Sequence, residues 1–170
     1  MENEPLKTGD SRRAVIETYS DIVYRLAYSM VKSRFDADDI HQEVFMRYLR
    51  KEPLFQNEEN EKAWFLRVTV NCCKNYWKSA WVRKVTGFIK EESAGVFEME
   101  ERDQELIETV KQLPEKYRIV VHLFYYEDMS AEEISRAIGV KPATVRTQLT
   151  RARSMLKKRL GGMDDVCGRL

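Results

Sequence analysis

The sequence predicts an all-α chain: two small helical domains joined by a flexible acidic linker, the second domain a helix-turn-helix. Three observations carry this. Only four prolines and seven glycines interrupt 170 residues, and apolar residues recur at helical spacing through most segments. An acidic stretch without clear period divides those segments into two groups. Finally, residues 130–142 contain Ser-x-x-Glu, a short apolar run, a glycine and a proline, the local grammar of two helices coupled by a tight turn.

The first domain is expected to span residues 1–85, with helices at about Ser11–Val31, Asp36–Lys51 and Glu61–Lys84. In KSRFDAD, Asp36 is read as the N-cap of the second helix, and the proline and two asparagines of EPLFQNEEN hold a loop before the third. The second helix turns Ala37, Ile40, Val44 and Tyr48 to the core, leaving Asp39, Gln42, Glu43, Met46 and Leu49 outward or nearly so. Exposed Met and Leu beside carboxylates form a protein-binding patch rather than a merely solvated face.

The third helix, EKAWFLRVTVNCCKNYWKSAW, carries three rows. Phe65, Val68, Cys72 and Tyr76 form one apolar row, Leu66, Val70, Cys73 and Trp77 another, and Arg67, Asn71, Lys74 and Lys78 a polar cationic stripe. Such a helix packs on two faces and stays open on one. Rings, an amide and cations on one basic helix suit an unpaired nucleic-acid strand, whose bases stack, whose edges accept amide contacts and whose phosphates follow the cations. Trp64 and Trp77 are read as core.

The acidic linker is placed at residues 86–105 and the second domain at 106–161, with a tail at 162–170. Helices are expected at about Gln104–Gln112, extended after Pro114 to Tyr126, then Ala131–Ile138 and Pro142–Leu160. Ser130 and Glu133 make a capping box, Gly139 takes the positive φ that stops the helix, and Pro142 suits the first turn of the next. In that last helix Val145, Leu149, Ala152 and Leu156 face the core. The opposite face carries Ala143, Thr147, Thr150, Arg151 and Ser154, with Arg146 and Arg153 on its flanks. Arginine can bond a guanine edge bidentately, and threonine offers a hydroxyl and a methyl, so this face suits a DNA major groove.

Charge supports two nucleic-acid contacts. The net charge is only +1, yet residues 62–84 and 142–160 each hold six basic residues and no acid, while 36–61 and 91–108 each hold eight acids. Cys72, Cys73 and Cys167 form no CxxC pair and, with His41 and His122, no four-ligand zinc set. No cofactor and no metal are expected, and the thiols are read as buried and reduced. No apolar run approaches the ~18–20 residues of a membrane span, and MENEPLKTGD lacks a basic-then-apolar signal, so a cytoplasmic protein without direct membrane insertion is expected.

Three stretches in order, DADDIHQEVFMRYL, AWFLRVTVNCCKNYWK and LPEKYRIVVHLFYYEDMSAEEISRAIGVKPATVRTQLTRARSMLKKRL, closely resemble the extracytoplasmic-function (ECF) sigma factors of bacterial RNA polymerase. The resemblance implies a non-enzymatic initiation factor with no small-molecule substrate. Its first domain, like sigma region 2, would bind the β′ clamp helices of core polymerase through Asp39, Gln42, Glu43 and Met46. That domain would also hold the melted -10 element through Phe55, Gln56, Asn57, Arg67, Asn71, Lys74, Asn75 and Lys78, with a base flipped out at Asn71. Its second domain, like region 4, would meet the β flap and set Ala143, Thr144, Arg146, Thr147, Thr150, Arg151 and Ser154 against the -35 element. An anti-sigma factor is the implied inhibitory partner, with a compact inhibited and an extended active arrangement of the two domains. The chain departs from frequent family residues at Ala143, Thr147 and Gln148, where glycine, serine and arginine are common, and at Asn75, where an aspartate is common. The residues themselves admit two other readings. A dimeric helix-turn-helix operator-binding regulator explains 130–160 but not the Asn71 stripe, and a nucleic-acid-processing enzyme lacks a metal cluster or phosphate loop.

Overall fold

A computed structural model describes residues 9–85 and 108–160; the linker expected at 86–105, the tail and Cys167 lie outside the described residues. The described residues form helices α1 (Gly9–Val31), α2 (Arg34–Lys51), α3 (Glu58–Val85), α4 (Glu115–Tyr125), α5 (Ala131–Ile138) and α6 (Pro142–Arg159), with a helical turn at 108–111. No strand occurs among them.

Helices α1 and α2 are joined by only two residues. Lys32 adopts the left-handed region (φ 64°), which lets its N–H close onto the Tyr28 carbonyl and turns the chain back. The N-cap of α2 is Ser33, not Asp36: the Asp36 amide donates to Ser33 Oγ at 3.4 Å, while the Asp36 carboxylate accepts from Tyr76 Oη at 2.6 Å. Both residue types cap helices well, and the tertiary bond from α3 decides between them. Helix α3 likewise starts earlier than Glu61. Asn57 caps it, its Oδ1 accepting from the Asn60 amide at 2.8 Å and its carbonyl from Glu61.

Phe65 is the centre of the first core. Fully buried, its ring stands 4.6 Å from Tyr19, 5.4 Å from Phe45, 5.3 Å from Tyr48 and 5.0 Å from Trp64, so one side chain ties α1, α2 and α3 together. Val23, Leu26 and Met30 of α1, Ala37, Ile40 and Val44 of α2, and Leu66, Val70, Cys72 and Cys73 of α3 complete it. Burial pushes the Cys73 thiol far above the usual range and that of Cys72 upward, which keeps both protonated. Desolvation, with Glu61 nearby, pushes the Tyr19 phenol up to about 12.

In the second domain Pro114 breaks the expected continuous helix. Residues 112–113 turn, Pro114 adopts extended backbone at the cap, and α4 begins at Glu115. The capping box at Ser130 forms in both directions: Ser130 N donates to Glu133 Oε2 at 2.7 Å and Glu133 N to Ser130 Oγ at 3.2 Å. The bonds from Ser130 hold the Glu133 carboxyl below its usual range. Gly139 stops α5 at φ 73°, and Pro142 opens α6. Val145, Leu149, Ala152 and Leu156 are buried as their spacing requires. The two domains pack on each other, and Ile119, Val120, Leu123, Ile134 and Val145 join the core that contains Phe65.

Because four aromatic neighbours lose their common partner, Phe65→Ala is expected to cost about 3–5 kcal/mol. Urea unfolding of the full chain should show this as a lower midpoint.

Candidate nucleic-acid interface

Packing of α3 leaves one stripe open. Leu66, Val70 and Cys73 face inward on one side and Phe65 and Cys72 on the other, so Arg67, Asn71, Asn75 and Lys78 are exposed. Lys74 is half-buried, close enough to Glu115 of α4 to help hold down a carboxyl that burial raises. At the N-terminal end of the stripe, Gln56 and Asn57 are exposed and Phe55 is half-buried against Trp64, ring centroids 5.9 Å apart. Because Asn57 Oδ1 caps α3, the amide NH2 of that side chain is what it presents outward. Trp64 and Trp77 pack partly buried against the core, matching their reading from the sequence.

Helix α6 presents the second surface. Ala143, Thr144, Arg146, Thr147, Thr150, Arg151 and Ser154 are all exposed on one side of the buried Val145–Leu149–Ala152–Leu156 row. The hydroxyls of Thr147 and Thr150 donate to the carbonyls of Ala143 and Arg146, at 2.9 and 3.0 Å, which holds each hydroxyl on its own helix. Arg146 pairs with Glu132 in the first turn of α5. Arg153, expected on a flank of this face, is half-buried and engaged from α4. Its Nε donates to Tyr125 Oη at 2.6 Å, and its guanidinium lies 5.6 Å from the ring centres of Phe124 and Tyr125. An aromatic pair on α4 offers the cation a face and an acceptor at once, and a single-helix projection could not show that neighbour.

The patch on α2 is also as expected. Asp39, Gln42, Met46 and Leu49 are exposed, and Glu43 accepts from Arg47 Nε at 2.6 Å. Met46 at 44% and Leu49 at 38% exposure are among the large apolar side chains left in solvent. His41 on the same helix turns toward α1, its Nε2 2.9 Å from Ser20 Oγ and its ring 4.8 Å from Phe45; burial lowers its pKa. Among the described residues no group of three or more His, Cys, Asp or Glu gathers as a metal site, and no helix is long and apolar enough to cross a membrane.

These surfaces therefore offer three chemistries on one chain. One is a cationic, amide-bearing stripe suited to a single strand, one a cationic, threonine-bearing helix suited to a groove, and one a carboxylate patch with exposed thioether and leucine suited to a protein.

Comparison with known proteins follows the same division. Residues 15–83 match the family model for sigma-70 region 2, and residues 103–156 that for sigma-70 region 4. The chain is 32% identical to the RNA polymerase sigma factor SigV of Bacillus subtilis over 138 residues, covering 81% of this chain and 83% of that protein. To the ECF RNA polymerase sigma factor SigW of the same organism it is 28% identical over 170 residues, 89% of each chain. Among solved structures, the sigma factor RpoE of Bartonella quintana, in complex with the anti-sigma factor NepR, shares the fold. The TM-score is 0.75 at 20% identity, with 87% of this chain and 95% of that one covered.

The Arg153 contact makes a local prediction. Tyr125→Phe keeps the ring but removes the acceptor, and should lower second-domain stability by about 1 kcal/mol, read as a lower melting midpoint of the full chain.

Proposed function

The chain belongs to the ECF RNA polymerase sigma factors of the sigma-70 family, and on that premise we propose how its surfaces divide the work of initiation. The exposed α2 patch, Asp39, Gln42, Glu43 and Met46, docks on the β′ clamp helices of core polymerase. The second domain contacts the β flap and lays α6 in the major groove of the -35 element, with Ala143, Thr144, Arg146, Thr147, Thr150, Arg151 and Ser154 at the DNA. The α3 stripe and the loop before it, Phe55, Gln56, Asn57, Arg67, Asn71, Lys74, Asn75 and Lys78, hold the unpaired strand of the -10 element. The functional units are residues 1–85 and 106–161, connected by the acidic linker at 86–105 and followed by the tail at 162–170.

The observation that carries this reading is the open stripe of α3. A helix-turn-helix regulator needs no second cationic surface with an exposed amide, and Asn71 stands in the middle of this one between rows whose Phe65, Leu66, Val70, Cys72 and Cys73 are buried. An extruded base costs a few kcal/mol to unstack. A side-chain amide and a ring already fixed at the rim recover part of that cost without further ordering.

Two small cationic patches bind weakly and with strong salt dependence when each acts alone. Holding both on polymerase at a set spacing turns the second contact into an intramolecular one and raises its effective concentration. The near-neutral net charge of +1 fits this division, because it limits non-specific binding by the free chain. The chain performs no chemistry of its own and works in the cytoplasm, with the polymerase. Its fold relatives RpoE and CnrH were solved with NepR and with the cytosolic domain of CnrY, and a comparable anti-sigma partner is proposed here.

Two substitutions test the assignment. Arg151→Ala should weaken upstream-element recognition by about 1–3 kcal/mol with polymerase affinity intact; an unchanged promoter preference removes Arg151 from the reading face. Asn71→Ala should slow formation of the permanganate-reactive open complex while leaving closed-complex affinity near that of the unaltered chain, and equal losses in both steps would contradict its role.

A further inference from the structure

Arg47 of α2 is a half-exposed cation that stands where the carboxylate patch of α2 meets the open stripe of α3. Two contacts fix how these helices lie. Tyr76 Oη donates to the Asp36 carboxylate at 2.6 Å, and the Tyr48 and Trp64 rings stand 6.2 Å apart, so α2 and α3 run antiparallel with residues 40–44 opposite 68–72. Arg47 lies about three turns on from Asp36, on the same flank of α2, the one that faces α3. Its side chain reaches back along the helix and Nε donates to Glu43 Oε1 at 2.6 Å, which sets the guanidinium in the groove opposite Val68 to Cys72.

The stripe has no cation of its own on this side. At 100° per residue Arg67, Lys74 and Lys78 all fall on the side of Asn71 away from α2, and Lys74 acts on Glu115 of α4, whereas Val68, Cys72 and Asn75 toward α2 are uncharged. Arg47 supplies the charge there, near enough to Cys72 to oppose the rise that burial imposes on its thiol. Asn71 thus lies between cations on both flanks. Among the described residues the Nη groups of Arg47 meet no acceptor, and 35% of its side chain is in solvent, so a phosphate can reach them. A guanidinium fixed through Nε offers those groups as a fork that matches two phosphate oxygens.

We propose that Arg47 is a further contact to the unpaired strand, holding a backbone phosphate beside Asn71 from the α2 side of the groove, with Glu43 as the positioning residue that aims it. The inference rests on the assignment of α3 to the unpaired strand. Glu43 gives the pair a second role, because the same carboxylate belongs to the patch that docks on polymerase. A cation of the partner that pairs with Glu43 withdraws negative charge from Arg47 and leaves the guanidinium more of its own charge for a phosphate. Docking therefore strengthens this contact, and by linkage a bound strand strengthens docking.

The test is the salt dependence of strand binding. Fluorescence anisotropy of a short, labelled, mixed-sequence single-stranded DNA with the full chain, repeated over a potassium chloride series, counts phosphate contacts, and loss of one lowers the slope of log Kd against log salt by about 0.7. Arg47→Gln should lower the slope by that amount and leave affinity for core polymerase, measured without DNA, unchanged or tighter. Arg50→Gln, the same change of charge at an exposed position of the same helix, should leave the slope as it is. An equal drop for both variants, an unchanged slope for Arg47→Gln, or weaker polymerase binding with the slope kept overturns the proposal. Glu43→Gln should tighten strand binding more than Asp39→Asn, a carboxylate of the same patch, and the difference should vanish in the Arg47→Gln background. A difference that persists there also overturns it, because Glu43 then acts without Arg47. Arg67→Gln, at a position already assigned to the strand, separates the two ideas. If it lowers the slope while Arg47→Gln does not, the new contact alone is wrong; if neither does, the strand site itself is lost, and the inference with it.

Discussion

Helix α3 must be buried on two adjacent faces and bare on the third, and the arrangement of the whole chain depends on that constraint. Phe65 and Leu66, side by side in sequence, are both fully buried, which is possible on a helix only if partners approach from two directions. Helices α1 and α2 supply one set of partners, and α4 and α5 of the second domain contribute to the same core. The remaining face receives the residues that cannot be buried without partners: Arg67, Asn71, Asn75 and Lys78. Binding chemistry is thus displayed by exclusion, on the rigid back of a core helix rather than on a loop.

The second domain solves the same problem at smaller scale. Its core is narrow, so terminal devices set its geometry. The reciprocal bonds between Ser130 and Glu133 fix the start of α5, and the left-handed Gly139 and extended Lys141 fix the angle at which α6 departs. With Val145, Leu149 and Ala152 anchored beneath, the threonines and Arg151 stand on a surface whose position is determined by buried atoms. Arg146 and Arg153, similar in sequence, have been given different neighbours: a carboxylate on α5 for one and an aromatic pair on α4 for the other.

Where the signal was local, the sequence was readable. The capping box, the stop glycine, the opening proline, the inward and outward rows of α2, α3 and α6, and the buried cysteines all follow from spacing and residue chemistry within a few turns. Where two local signals competed, tertiary contact decided. Ser33 caps α2 because Asp36 is engaged by Tyr76, forty residues away. Asn57 reads equally as loop or cap until the chain after it is seen to coil, and Pro114 separates what periodicity joins. The seam between the two domains had no local signature. Arg118 and Lys62 carry no local signal of their partners, the Met30 and Glu127 carbonyls, which reach them only across the two domains.

The central claim is that this chain, joined to core polymerase, chooses where transcription starts. Multi-round transcription by purified core enzyme on a library randomised across the promoter, with and without the chain, tests it most directly. The account predicts that adding the chain enriches templates sharing two separated elements at fixed spacing, with transcripts starting at a constant distance downstream. Transcripts whose start sites and template sequences are the same in its presence and absence would contradict it.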